Sequence, residues 1–174
     1  MEALMLDLPA GLSGQLHICS WDDPVIDQIG FDPRSNYVER FWLRTLGPST
    51  TWLLRHIASC FEESPEGFDL PLLDTARALG LGGEGRNSPF IRAIARSCQF
   101  EMARPLGDGV LSVRRKLPPL NRRQVSRLPE GTQLDHAHAY EQHRLRLMQK
   151  NQKSPHQPSS VAPSIASLSM ATGS

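Results

Sequence analysis

The sequence predicts a mainly α-helical domain with a small β-hairpin. Apolar residues recur at helical spacing between about residues 37 and 99, and glycines, prolines and capping residues bracket each run. From Phe100 onward the apolar residues alternate instead, and the pair Asp108-Gly109, a strong hairpin signal, lies between two such short runs. At 174 residues the chain is long enough for one domain with a core, plus tails.

Four helices precede the predicted hairpin, and each is justified by its end signals and its apolar face. Gly47 closes the first helix, Pro48 opens the second, and Pro71 lies in the first turn of the third. Ser88 followed by Pro89 combines a cap with a proline and opens the fourth. Phe68 is expected to be an isolated extended residue. The predicted helices span residues 37–46, 48–63, 71–79 and 88–98.

The hairpin is predicted over residues 100–115, and two further helices follow it. Asn121 can cap a brief helix to Leu128, and a polar helix continues over 130–149. The ends of the chain differ in composition from the middle. Residues 1–36 are acidic and are predicted to form a partly ordered arm, in which Leu16 to Trp21 either makes an edge strand or packs on the domain. The serine-rich and proline-rich residues 151–174 are predicted to be disordered.

Charge is strongly sorted along the chain although the net charge is only +1. Residues 1–85 contain thirteen acidic and five basic residues, whereas residues 86–127 contain ten basic and two acidic ones. The basic block coincides with the predicted fourth helix and the hairpin. Such asymmetry within a short chain indicates a surface that faces a polyanion.

Several function classes lack support in the sequence. No apolar run is long enough to span a membrane, and the first basic residue is Arg34, which argues against a secretory signal. Three widely separated cysteines suit reduced thiols, so a cytoplasmic location is expected. The glycine-rich run 80–85 matches a dinucleotide fingerprint literally but follows a helix rather than a strand. No enzyme motif, metal site or cofactor is predicted, and His136, His138 and His143 are expected to be solvated.

The element order over 48–120, namely helix, short strand, helix, loop, helix and hairpin, resembles a winged helix-turn-helix domain. The phrases "FWLRTLGPSTTWLLRHIA", "NSPFIRAIARSCQFEMARPL" and "LSVRRKLPPLNRRQVSRLP" are similar to a family of uncharacterised bacterial winged-helix proteins. The resemblance implies a winged-helix core and binding of double-stranded DNA in bacterial transcription regulation. With the elements predicted above, the chain divides into a winged-helix domain with a preceding short helix over 37–128 and a C-terminal helix over 129–150. The loop over 80–87 is longer than is usual in a tight helix-turn-helix.

In that resemblance the 88–98 helix is the recognition helix in the major groove and the hairpin is the wing. The N-terminus of the helix would direct backbone N–H groups at a phosphate, and its arginines would reach guanine edges or phosphates. The implied DNA-binding residues are Arg86, Ser88, Arg92, Arg96, Gln99, Arg104, Arg114, Arg115 and Lys116.

Two alternatives remain open from the sequence. A winged helix also serves as a protein-interaction adaptor, in which case the basic face would bind an acidic protein without DNA. The helix over 130–149 is a candidate element for a homodimer, although it lacks the heptads of a coiled coil.

Overall fold

In the computed structural model, which describes residues 14–82 and 88–153, the chain forms four strands and seven α-helices. The strands belong to one mixed sheet with the spatial order β2-β1-β4-β3. Strand β1 is antiparallel to β2 and parallel to β4, while β3 and β4 form the hairpin. The strands are Gln15–Ser20 (β1), Phe68–Pro71 (β2), Ala103–Gly107 (β3) and Val110–Val113 (β4).

The predicted fold class, mainly α with a small β-hairpin, is therefore wrong, and the fold is α/β. The difference arises from β1, which comes from the acidic segment 1–36 and lies inside the sheet rather than at its edge. Leu16 and Ile18 are buried on one face of this strand, with 1% and 0% of their surface exposed. Because a strand inside a sheet has hydrogen-bond partners on both sides, β1 joins β2 to the hairpin and makes one sheet of them.

The helices after residue 47 lie close to their predicted positions, whereas the helix over Pro24–Ile29 was not predicted and the helix predicted over 37–46 is π-helical in its first half. The bounds of the helices are Pro24–Ile29 (α1), Leu43–Leu46 (α2), Pro48–Glu63 (α3), Leu72–Ala78 (α4), Pro89–Gln99 (α5), Arg122–Val125 (α6) and Glu130–Lys153 (α7), with a π-helical segment over Val38–Trp42 that leads into α2. The element order predicted for residues 48–120 is present along the chain. The hairpin turn is also as predicted, since Asp108 and Gly109 both have positive φ angles, of 48° and 73°.

The core lies between the sheet and the helices, and α3 packs against α5 within it. The large side chains of Phe41, Trp42 and Phe90 are almost completely buried there. The indole N–H of Trp42 donates to the Pro118 carbonyl at 2.8 Å, which ties the segment after the hairpin to the core. These contacts place α5 beside α3, and the chain after the hairpin beside the π-helical segment Val38–Trp42.

Helix α7 is attached to the domain through aromatic and histidine side chains. His136 is only 7% exposed, and its Nε2 lies 2.7 Å from the Tyr37 hydroxyl. The His143 ring stacks on Phe31, and its Nε2 lies 3.0 Å from the Ile29 carbonyl oxygen. The prediction that these two histidines are solvated was wrong, because each lies on the face of α7 that contacts the domain. His138 points away and is exposed.

Helix α7 continues for ten residues after His143, and we call residues 144–153 its outer part. Leu145 and Met148 are about half exposed there. The homodimer through residues 130–149 stays a prediction. Among the helices of the described segments 14–82 and 88–153, none is long and apolar enough to cross a membrane.

Candidate nucleic-acid interface

Helix α5 has one buried face and one polar face, as its periodicity predicted. Phe90, Ile94 and Cys98 are buried against α3 and the sheet, whereas Arg92, Arg96 and Gln99 are exposed. These three polar residues follow one another at spacings of four and three, so they form a single outward stripe. The Arg92 side chain has no hydrogen-bond or ionic partner within the part of the chain that the structure describes.

The N-terminus of α5 is capped by the protein itself. Ser88 is 4% exposed, and its hydroxyl accepts from the Ile91 backbone N–H at 3.2 Å. The Phe90 N–H donates to the Gly82 carbonyl at 3.5 Å, and residue 89 is a proline with no N–H. The backbone groups expected to face a phosphate are therefore already bonded. Ser88 acts here as a helix cap.

Arg96 bridges α5 to the last turn of α2. Its Nε and Nη2 both donate to the Thr45 carbonyl, at 3.1 and 2.6 Å, and its guanidinium carbon lies 5.3 Å from the centre of the Phe100 ring. Carbonyls in the last turn of a helix lack intrahelical donors, and an arginine is well suited to supply them. These contacts restrict the Arg96 side chain to one place while leaving its positive charge exposed.

Two arginines of the hairpin enclose an aromatic ring. The guanidinium carbons of Arg104 and Arg114 lie 4.4 and 3.9 Å from the centre of the Trp21 ring. Arg114 also donates to the Asp23 carboxylate at 2.5 Å and to the Glu101 carbonyl at 2.8 Å, and its side chain is only 11% exposed. The hydrogen bond from Arg114 is the main cause that lowers the pKa of the Asp23 carboxyl. Arg104 is exposed on β3, whereas Arg114 is largely enclosed by the residues to which it donates hydrogen bonds.

The other two basic residues after the hairpin are also bonded to the N-terminal segment and its neighbours. Arg115 donates to the Ser20 hydroxyl at 3.0 Å and to the Pro65 carbonyl, and the Lys116 ammonium donates to the Asp27 carbonyl. Both residues line a cleft of about 610 Å³ that also contains the acidic side chains Asp22, Asp27 and Glu66. Arg115 and Lys116, which the resemblance implied to be DNA-binding residues, thus lie beside carboxylates.

A second cleft, which we call the arginine cleft, lies where α2, the end of α5 and the α6–α7 connection meet. It has a volume of about 400 Å³, and no acidic side chain lines it among the residues that the structure describes. Its lining residues are Arg44, Thr45, Arg96, Phe100, Gln124, Arg127, Leu128 and Pro129. Arg122 and Arg123, on the helix that contributes Gln124, are exposed as well.

Of the three arginines that line the arginine cleft, only Arg96 was predicted from the sequence. Arg127 lies within the basic block, and its position beside a capped short helix was the only signal available. Arg44 lies in the half of the chain that is acidic overall, outside the basic block from which the DNA-binding residues were predicted. Arg86, the remaining predicted residue, lies outside the described residues.

Comparisons of the chain with protein-family models, with curated proteins and with solved structures find no match.

Proposed function

We propose that this protein binds double-stranded DNA, with α5 as the helix that enters the major groove. The observation that carries the proposal is an arginine-rich surface: exposed arginines lie on α2, α5, α6 and the α6–α7 connection, and three of them line the arginine cleft. None of them forms an ion pair among the described residues. The members of this surface are Arg44, Arg92, Arg96, Arg122, Arg123 and Arg127. The backbone of DNA is the polyanion for which such a surface is typical.

Arg92 has the best position for reading bases. It lies in the first half of α5, on the exposed stripe, and its side chain is not committed to any described residue. A guanidinium can donate two parallel hydrogen bonds to a guanine edge. Gln99 lies on the same stripe, at the far end of the helix. In this proposal the other arginines of the surface contact phosphates and orient α5. Phosphate contacts usually position a protein on DNA, whereas base contacts read the sequence.

The hairpin has a smaller part in this proposal than the winged-helix resemblance implies. Arg104 is exposed and able to contact the backbone beside the groove. Arg114, Arg115 and Lys116 instead stabilise the junction of the hairpin with β1 and α1, because each donates to a group of that segment and carboxylates lie beside all three. Breaking these hydrogen bonds so that the side chains could reach DNA would leave their acceptors without a partner, which is unfavourable.

Fluorescence anisotropy of a labelled duplex of about 25 base pairs, titrated with the protein at several NaCl concentrations, tests the proposal. About five phosphate contacts predict a slope near −4.5 for the logarithm of the association constant against the logarithm of the salt concentration. Arg92→Ala should weaken binding to a selected target site by about 1–3 kcal/mol, the usual value of a bidentate base contact. Arg146→Ala, which removes the same charge from the exposed outer part of α7, is the control and should have little effect.

Two results would contradict the proposal. Absence of duplex binding at about 50 mM salt would rule out DNA as the ligand of this surface, since nonspecific binding of DNA to an arginine-rich surface is strongest at low salt. The adaptor hypothesis, with an acidic protein as the partner, would then take its place. Equal effects of Arg92→Ala and Arg146→Ala would show that α5 is not the helix that reads the DNA.

A further inference from the structure

Three arginines from three separate parts of the chain line the arginine cleft. Arg44 comes from α2, Arg96 from α5, and Arg127 from the connection between α6 and α7. Gln124 adds an amide that can donate as well as accept. Like charges that share a cleft repel one another, and an anion bound among them relieves the repulsion. The cleft therefore has the charge and the donors to bind an anionic group.

The geometry of Arg96 makes this cleft more than a chance cluster of surface charges. Its Nε and Nη2 are bonded to the Thr45 carbonyl, and its plane lies beside the Phe100 ring. Nη1 has no partner within the described part of the chain, so its two hydrogens remain available. Because the side chain is already immobilised, binding an anion there costs little additional conformational entropy.

We propose that the arginine cleft is a phosphate-binding site, and that in the working protein it holds a phosphodiester of bound DNA. That the phosphate belongs to a DNA duplex rests on the function proposed above, whereas the ability to bind a phosphate follows from the residues of the cleft itself. Guanidinium groups match the geometry of phosphate oxygens through paired hydrogen bonds. The phosphate would lie next to the end of α5, so that it sets how deeply the first half of that helix enters the groove.

The larger cleft beside the N-terminal segment does not offer the same chemistry. Its two basic residues, Arg115 and Lys116, donate to groups of the protein, and Asp22, Asp27 and Glu66 line the same space. Carboxylates repel a phosphate and compete with it for the basic side chains. The two clefts thus give an internal comparison, in which only the arginine cleft should respond to phosphate.

Arg127→Gln and Arg44→Gln test the duplex as the source of the phosphate. Each variant removes a charge and keeps a polar side chain, and Arg146→Gln on α7 is the matched control. Loss of one phosphate contact should lower the magnitude of the salt slope by about 0.9 and weaken duplex binding about eightfold at 0.1 M salt. The effect should be the same for duplexes of different sequence, since a phosphate contact does not read bases.

Inorganic phosphate and nucleoside monophosphates test the site without a duplex. In a two-dimensional NMR spectrum of the arginine side chains, phosphate should shift the Nε–Hε signal of Arg96, whereas chloride at the same ionic strength should not. Arg127→Gln should abolish that shift, and Arg146→Gln should leave it unchanged. A nucleoside monophosphate that binds much more tightly than inorganic phosphate would identify a free phosphorylated ligand as the natural source.

The outcomes separate this inference from the proposed function. Duplex binding with unchanged slopes in Arg44→Gln and Arg127→Gln, together with no response of Arg96 to phosphate, would overturn the site and leave DNA binding in place. A response of Arg96 to phosphate that Arg127→Gln abolishes, without any duplex binding, would support the site and overturn DNA as the source. Absence of both responses would overturn both proposals.

Discussion

Removing the hydroxyl of Tyr37 should destabilise the protein much more than the loss of one atom suggests. This hydroxyl accepts from the Leu120 backbone N–H at 3.0 Å and lies 2.7 Å from Nε2 of His136. Because it accepts from Leu120, its own proton is available to donate to the histidine. Burial raises the pKa of Tyr37 to about 12, so the hydroxyl keeps that proton throughout the physiological range. It links the π-helical segment, the chain after the hairpin, and α7.

Tyr37→Phe removes this link while keeping the ring. The ring stacks on Phe31 with centroids 3.5 Å apart, and phenylalanine can retain that packing. Two buried partners, the Leu120 N–H and His136, then lose their hydrogen bonds. Leaving a buried polar group unsatisfied costs about 1–3 kcal/mol. Because Leu120 and His136 keep 6% and 7% of their surface exposed, we take about 1–2 kcal/mol for each and expect a loss of about 2–4 kcal/mol in the free energy of unfolding. For a chain of this size, that corresponds to a fall of about 6–12 °C in Tm.

Urea unfolding followed by far-UV circular dichroism, with calorimetry for Tm, measures this loss. Tyr140→Phe is the matched control, because Tyr140 lies in the same cluster, its ring stacks near His136, and its hydroxyl has no hydrogen-bond partner in the described segments. It should change stability by less than about 0.5 kcal/mol. If Tyr37→Phe were as mild as this control, the buried hydroxyl would not hold α7 and residue 120 in place, and the reasoning would be refuted.

Two further predictions concern pH and the sheet. Burial lowers the pKa of His136 from its ordinary value of 6.5, so the unfolded chain takes up a proton more readily than the folded one, and stability should fall as the pH decreases through that value. In urea unfolding at a series of pH values, His136→Gln should flatten this dependence, whereas the exposed His138→Gln should preserve it; equal curves would contradict the burial argument. Ile18→Ala, in the middle of the sheet, should cost about 2–5 kcal/mol of unfolding free energy. The control Val25→Ala, at a side chain that is 62% exposed, should cost less than about 0.5 kcal/mol; a similar small loss for Ile18 would argue against a buried β1.

The local elements could be predicted because their causes lie within a few residues. Ser88 caps α5 through its own neighbour Ile91, and Asn121 forms a capping box with Gln124 three residues later. The pair Asp108-Gly109 adopts the positive φ angles that its turn needs. The outward stripe of α5 followed in the same way from a period of 3.6 residues.

The sheet and the environment of the basic residues could not be predicted in this way. The register of β1 depends on Phe68–Pro71 and Val110–Val113, which are about 50 and 90 residues away. Arg114 is separated by 91 residues from Asp23, and Arg96 by 51 from the Thr45 carbonyl. A linear count of charges treats all these basic residues alike, whereas the fold neutralises some and gathers others around the arginine cleft.

The sequence by itself determined where the hairpin turn and most helices after residue 47 lie, which face of α5 is polar, and that acidic and basic residues are segregated along the chain. Only the tertiary structure decided that the acidic segment supplies a strand inside the sheet, and that Asp23 pairs with the basic residue at the end of the hairpin. It also decided that Arg44, Arg96 and Arg127 share one cleft. The physical reason is the range of the interactions: caps and periodicity act over three or four residues, whereas strand pairing, ion pairs and clefts depend on which distant segments the core brings together.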